Sequence, residues 1–180
     1  MTNILPIETE YKGTVFRSRL EARWAIFFDE MNIEYQYEPG SFQVPFNGYT
    51  LKYFPDFVLT NVKCNTEIQQ PIYIEVKGRE RYADIYENDR RKFESFAKDH
   101  SLLVLGSLPF RVADLFQKPD YICNFFLING QNMPCFFKKY NGDPWLVDGY
   151  RASTDCRQTD DALYIANKAC FESSGDAYGR

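Results

Sequence analysis

The chain has 180 residues with a net charge of −4, and hydrophobic residues make up 44% of it, which is typical of a folded globular domain and excludes a disordered one. No apolar run is long enough to span a membrane, and the N-terminus lacks the layout of a secretory signal. Five cysteines without a CxxC spacing argue against a disulfide framework, and a single histidine argues against a histidine-rich zinc site. We therefore expect a cytoplasmic protein with reduced thiols.

No repeat or linker divides the chain, so we expect one domain, with residues 1–15 as an extended arm. Ser18 and Glu21 have the spacing of a helix capping box, and apolar residues follow at helical spacing until Asn32 ends the helix. Strands are predicted over about 34–44, 49–59 and 71–77, with a hairpin turn at Asn47-Gly48. Trp24 and Tyr53 are assigned to the core.

A second helix is predicted within 82–99, beginning near Asn88-Asp89 unless Asp89 has a partner inside the apolar stripe. A buried strand follows at 101–105, and the helical crossover requires it to lie parallel to the 71–77 strand. Beyond residue 109 we predict a hairpin, 121–128 and 133–140, around Asn129-Gly130. A turn at Asp143-Pro144-Trp145 follows, and then a helix over 160–171 with Asp160 as cap and Leu163, Ile165, Ala166 and Ala169 as apolar positions.

Three polar residues stand out against this apolar background. Asp56 follows a proline on one predicted strand, and Glu75 and Lys77 are two residues apart on the next, so that they point to the same face. Two carboxylates form an oxygen site for a hard cation such as Mg²⁺, and a lysine beside them can position a water molecule or stabilise charge on a phosphate. This combination indicates metal-assisted hydrolysis of a phosphodiester.

Three segments, FRSRLEARW (16–24), YFPDF (53–57) and IEVKG (74–78), resemble the motifs of the PD-(D/E)xK nuclease superfamily, most closely its small phage-type members. The resemblance covers about residues 11–108. It implies a mixed α/β fold with a restriction-endonuclease-like αβββαβ core and a mixed central sheet over 1–108. Residues 109–180 would form a C-terminal hairpin and helix on the same domain.

The resemblance also implies roles for individual residues. Asp56, Glu75 and the Val76 carbonyl would bind Mg²⁺ or Mn²⁺, Glu21 would complete the acidic cluster, and Lys77 would act on the attacking water or the transition state. Glu21 can equally be explained by its capping role. Arg17, Arg19, Arg23 and Lys92 are candidate ligands of substrate phosphates. Gly78 either ends its strand or leaves room for a phosphate backbone.

The expected function is a Mg²⁺-dependent nuclease acting on DNA more readily than on RNA, in a bacterial or phage-infected cell. The acidic net charge argues against a large nucleic-acid footprint. Two alternatives therefore stay open. One is a nuclease-fold module that binds a host factor without turnover, and the other is a nuclease subunit that needs a partner protein for recognition. A homodimer is also possible from the sequence.

Overall fold

The computed structural model describes residues 6–64, 68, 70–79, 82–112, 124–128, 131–148 and 156–171. The strands in this part of the chain are β1 (Thr9–Tyr11), β2 (Thr14–Phe16), β3 (Tyr35–Tyr37), β4 (Phe42–Phe46), β5 (Tyr49–Tyr53), β6 (Phe57–Leu59), β7 (Lys63–Cys64), β8 (Ile72–Val76), β9 (Ser101–Leu105), β10 (Asn124–Ile128), β11 (Gln131–Tyr140) and β12 (Asp143–Asp148). The helices are α1 (Arg19–Glu30), α2 (Glu87–Phe96) and α3 (Arg157–Lys168), with a short 3₁₀ turn at Tyr82–Asp84. No helix among these residues is long and apolar enough to cross a membrane.

The fold is mixed α and β, as predicted. One sheet has the strand order β3-β6-β8-β9-β10-β11-β12-β7, and β1-β2 and β4-β5 form separate hairpins. β8 and β9 are parallel and joined through α2, which confirms the predicted crossover. The long strand β11 changes partner along its length, because residues 131–134 pair with β10 and residues 135–140 pair with β12. The match to a restriction-endonuclease core remains a prediction.

The first helix begins and ends as the sequence predicts. The Ser18 side chain accepts a hydrogen bond from the Glu21 backbone N–H at 3.2 Å, which caps the N-terminus. At the other end Asn32 has a left-handed backbone (φ 58°), and the N–H groups of Asn32 and Ile33 bond back to the carbonyls of Asp29 and Phe28. This is the Schellman arrangement, and asparagine tolerates the left-handed conformation that it requires.

Two hydrophobic clusters lie on opposite faces of the central strands. Leu103 and Leu105 of β9 belong to the cluster that includes α1 and α3, whereas Leu102 and Val104 belong to the one that includes α2 and the β4–β5 hairpin. Strand β9 is therefore buried on both faces, as its continuous apolar sequence predicts. The α1 cluster also contains Phe136, so residues from both sides of position 108 share one core. The proposed boundary between 108 and 109 remains a prediction.

Two of the predicted strands are each divided in the structure. The 34–44 strand is interrupted between β3 and β4, where Glu38 and Gly40 have positive φ values of 48° and 127°. The 49–59 strand is interrupted between β5 and β6 at Phe54-Pro55-Asp56, where proline has no N–H to continue a ladder. The 1–15 arm is in part the β1–β2 hairpin. The Asn47-Gly48 turn is confirmed, with φ values of 50° and 84°.

Three further predictions concern the second helix and the C-terminal part. The second helix begins at Glu87 after Tyr86, which makes no side-chain capping bond, so the Asn88-Asp89 cap is wrong. The alternative that Asp89 has a partner is confirmed, because its carboxylate pairs with Lys92. The predicted turn at 143–145 is also wrong, because these residues begin β12 and the turn lies at Asn141-Gly142 with φ values of 51° and 86°. The pairing of β10 with β11 confirms the C-terminal hairpin. Residues 121–123 and the Asn129-Gly130 turn lie outside the described residues.

The C-terminal helix begins three residues before the predicted start. Asp160 lies inside its first turn, where the Asp160 carboxylate accepts a hydrogen bond from the Val112 N–H at 2.7 Å instead of capping the helix. Leu163 and Ala166 are buried as predicted, but Ile165 is exposed and Ala162 takes its place in the core. The apolar stripe is therefore rotated slightly from the predicted one.

Candidate active site

The site lies where α1 begins, β6 begins and β8 ends. Asp56 immediately precedes β6 and is attached to β8 twice. Its backbone N–H donates to the Ile74 carbonyl at 2.8 Å, and its Oδ2 accepts from the Val76 N–H at 2.7 Å. Asp56 and Glu75 are both buried, at 5% and 6% exposure. Their association is therefore built into the strand pairing rather than left to side-chain mobility.

Glu75 points toward α2, on the face of β8 opposite to Ile74 and Val76. Its Oε1 lies 2.8 Å from the Lys77 Nζ, and its Oε2 accepts a hydrogen bond from the Tyr53 hydroxyl at 2.6 Å. The Lys77 Nζ also lies 5.5 Å from the centre of a phenylalanine ring on α2, that of Phe93. The prediction that Glu75 and Lys77 share one face is confirmed.

Glu21 is buried at the start of α1 and is held by three donors. Its carboxylate accepts from the Ser18 hydroxyl at 2.8 Å, from the Tyr37 hydroxyl at 2.6 Å and from the Arg17 N–H at 3.2 Å. Ser18 caps the helix through the Glu21 backbone N–H, but the Glu21 carboxylate accepts from the N–H of Arg17, the residue before the cap, so the reciprocal bond of a capping box is displaced by one residue. The hydrogen bond from Tyr37 on β3 shows that the same carboxylate also faces the sheet.

Arg17 contacts three acidic residues, Asp56, Glu38 and Glu21. Its Nη2 donates to Asp56 Oδ1, its Nε lies 3.1 Å from Glu38 Oε1, and the same Nε lies 4.0 Å from Glu21 Oε2. In the described parts of the chain, no three His, Cys, Asp or Glu side chains form a ready metal-binding group. Within the predicted acidic cluster, the Arg17 guanidinium therefore bridges Asp56 and Glu21, whereas Glu75 pairs with Lys77.

Burial dominates the electrostatics of the site. Burial and the neighbouring Glu75 charge raise the pKa of Asp56 above its ordinary value, although the Val76 N–H and Arg17 act in the opposite direction. Burial works to lower the pKa of Lys77, but the Glu75 carboxylate, together with Asp89 and Asp56, outweighs it, and the pKa is raised. Burial and Glu75 raise the pKa of Tyr53 well above its ordinary value, so its hydroxyl remains a donor. Crowded acids of this kind bind a cation favourably.

The hydrogen bonds divide the carboxylate oxygens into two sets. Asp56 Oδ2 and Glu75 Oε2 are held by a backbone N–H and a buried phenol, which fix the orientation of each group. Asp56 Oδ1 and Glu75 Oε1 contact Arg17 and Lys77, whose long side chains can move. Hard oxygen donors fit Mg²⁺ or Mn²⁺ better than Zn²⁺. Such a cation would bind through Asp56 Oδ1 and Glu75 Oε1. Val76, whose N–H orients Asp56, is buried.

The other three predicted phosphate ligands have different surroundings from Arg17. Lys92 pairs with Asp89 within α2. Arg19 is exposed at the first residue of α1, and the partly buried Arg23 has an Nε without a hydrogen-bond partner among the described residues. Of these four side chains, Arg17 pairs with Asp56 and Glu21, whereas Lys92 pairs with Asp89, whose charge acts on Lys77. Gly78 is open, since a Cβ built there would meet nothing within 4 Å.

Sequence reasoning missed four residues of the site. Tyr53 and Tyr37 are the donors to Glu75 and Glu21, and Asp89 is close enough to raise the pKa values of Lys77 and Tyr53. The fourth is Glu38, the second partner of Arg17. Among these four, Tyr53 could have been suspected from the sequence, because it directly precedes the Phe54-Pro55-Asp56 segment. Its assignment to the core is confirmed, since its ring is buried.

Comparisons with protein-family models, with curated proteins and with solved structures found no match to this chain. The resemblance to the nuclease superfamily therefore stays a prediction.

Proposed function

We propose that the protein is a Mg²⁺- or Mn²⁺-dependent nuclease that hydrolyses phosphodiester bonds, with DNA as the preferred substrate. The observation that carries this proposal is the attachment of Asp56 to β8 beside Glu75, with the Lys77 ammonium on the same carboxylate. Two buried acids and a lysine in one place are costly to fold, since burial raises the pKa of Asp56. A site of this kind is better explained by chemistry than by stability.

In this proposal each residue has a defined task. A bound metal ion would polarise the scissile phosphate and lower the pKa of the attacking water. Asp56 and Glu75 supply the oxygen ligands, and Tyr53 and the Val76 N–H hold them in orientation. Lys77, whose raised pKa keeps it charged, stabilises negative charge as it develops on the phosphate.

The test is cleavage by the purified protein of linear, supercoiled, single-stranded and branched DNA and of structured RNA, with Mg²⁺, Mn²⁺ or EDTA. We expect metal-dependent cleavage by the parent and by Asp99→Asn, an exposed aspartate in the turn after α2. Asp56→Asn should be inactive. Cleavage by Asp56→Asn at the parental rate, or the absence of cleavage of every substrate by the parent, would refute the proposal.

A second candidate is a binding module that keeps this architecture without turnover. The observation that favours it is that Lys77 and Arg17 already neutralise Glu75 and Asp56 within the chain. In that case the protein would bind the host factor equally well in EDTA, and the Asp56→Asn variant would keep the biological effect of the parent. An effect that requires both Asp56 and the metal would instead support the nuclease.

A further inference from the structure

Arg17 has an unusual position for a residue expected only to bind substrate. Its side chain is half exposed, yet one end of the guanidinium reaches the buried Asp56 and the other reaches the exposed Glu38. Its backbone N–H is fixed separately, by bonds to Glu21 and to the Tyr37 hydroxyl. The backbone is therefore anchored, while the guanidinium is shared between Asp56 and Glu38, with Glu21 farther away at 4.0 Å.

Glu38 is also held in place by the fold. It has a left-handed backbone (φ 48°), a conformation that costs a residue with a Cβ about 1 kcal/mol or more. Its N–H donates to the Asp56 carbonyl at 2.8 Å, which ties the strained residue to the site. Strained backbone of this type occurs at sites where a side chain must be presented in one place. Here the side chain presented is the second partner of Arg17.

Asp56 Oδ1 is the oxygen that both Arg17 and a metal ion would use. The other oxygen, Oδ2, is occupied by the Val76 N–H in the strand pairing. A divalent cation that binds Oδ1 must therefore compete with the Arg17 guanidinium, because two positive charges bound to the same oxygen atom repel one another.

We propose that Arg17 is an internal counter-cation of Asp56 that a divalent metal ion displaces, and that Glu38 retains the displaced guanidinium at the edge of the site, where it can bind a substrate phosphate. The inference rests on the proposed function. It adds that metal binding and the presentation of Arg17 to substrate are coupled. When the metal ion takes the place of Arg17 on Asp56, the guanidinium moves to Glu38 and to the substrate phosphate. Arginine suits this task because its planar fork pairs with either carboxylate or phosphate.

The experiment is titration of the metal-free protein with Mn²⁺ alone, followed by calorimetry, for the parent, Arg17→Gln and Asp56→Asn. Removing the competing cation should tighten Mn²⁺ binding roughly three- to tenfold, the range expected for a charge-assisted hydrogen bond weakened by solvent exposure. Lys52→Gln is the control, because it removes one positive charge from an exposed residue of β5 close to Asp56 in sequence. It should leave the Kd within about twofold, as expected for a screened surface charge. Arg17→Lys, which keeps the charge without the fork, should fall between the parent and Arg17→Gln.

A double-mutant cycle distinguishes retention of the Arg17 guanidinium by Glu38 from a general effect of the Glu38 charge on metal binding. In the parent, Glu38→Gln should weaken Mn²⁺ binding, because Arg17 then stays on Asp56. In the Arg17→Gln background the same change should have no effect, whereas an equal effect in both backgrounds would overturn the role of Glu38. Thermal unfolding of each variant checks that the fold is retained.

The outcomes also distinguish this inference from the proposed function. Mn²⁺ binding that is lost in Asp56→Asn but unchanged in Arg17→Gln would overturn the exchange and leave the metal site standing. A parent that binds no Mn²⁺, or binds it as well in Asp56→Asn, would overturn both. If cleavage is measured in parallel, Arg17→Gln should bind metal more tightly and yet cleave more slowly, a combination that a purely structural arginine would not produce.

Discussion

The hydrogen bond from Tyr53 to Glu75 can be removed without disturbing the core around it. Tyr53→Phe keeps the aromatic ring, which packs against Phe93 and Phe96 of α2 with ring centres 6.1 and 4.7 Å apart. It removes only the hydroxyl that donates to Glu75 Oε2 at 2.6 Å. The change in the free energy of unfolding therefore measures what this one bond contributes.

The structure sets the size of the effect. A hydrogen bond to a charged group is worth about 1.5–3 kcal/mol, and both partners are buried, with Tyr53 and Glu75 only 5% and 6% exposed. Lys77 remains on the other oxygen of Glu75, so the carboxylate is not left without a partner. We expect a loss of about 2 kcal/mol, which corresponds to a fall in Tm of roughly 4–8 °C for a chain of this length.

Urea unfolding followed by circular dichroism gives the free energies, with Tyr49→Phe as the control because Tyr49 is 57% exposed. Repeating Tyr53→Phe in a Glu75→Gln background should reduce its cost to about 0.5–1.5 kcal/mol, the value of a neutral bond. A loss below about 0.5 kcal/mol in the parent, comparable with an ordinary surface substitution, would refute the view that Tyr53 orients a charged Glu75.

Three further predictions follow from the same site. Because burial and Glu75 raise the pKa of Asp56, ionising its carboxyl group costs more free energy in the folded chain than in the unfolded chain, so the stability of the metal-free protein should fall as the pH rises from about 4 through the raised pKa. Asp56→Asn should flatten this dependence of Tm on pH, and an equally steep fall in the variant would contradict it. Lys77→Met removes the cation 2.8 Å from Glu75 and should cost about 1–2 kcal/mol of unfolding free energy in urea, since the pair is partly buried; a variant as stable as the parent would contradict it. Gly78→Ala should leave Tm nearly unchanged, because the added Cβ meets nothing within 4 Å, but should lower kcat/KM if a phosphate backbone passes there; a parental kcat/KM would assign Gly78 only to the end of β8.

Features encoded by neighbouring residues could be predicted from the sequence. The cap at Ser18, the stop at Asn32 and the Asn47-Gly48 turn each depend on a few adjacent side chains and on backbone preference. The parallel pairing of β8 and β9 follows from the helix between them. The shared face of Glu75 and Lys77 follows from the pleat of one strand.

Features that depend on distant residues could not be predicted in this way. Arg17 contacts Asp56 across 39 positions, and nothing in a local pattern distinguishes that arginine from Arg19 or Arg23. Tyr53 has the pattern of a core residue because its ring is one, and its hydroxyl leaves no periodic signal. Glu38 was missed because its importance comes from a left-handed backbone at a strand break, which the sequence does not favour for glutamate.

The fixed ends of α1 have a consequence for how the chain can vary in length. Glu21 is bound by Tyr37 near one end of the helix, and the turn at Asn32 directs the chain into the strand that carries Tyr37. One residue added within α1 would rotate everything beyond it by about 100°, so that either the Phe27 and Phe28 side chains leave the core or the Glu21 contact is lost. Insertions and deletions should therefore be tolerated at the exposed Asn47-Gly48 tip and rejected between Glu21 and Asn32.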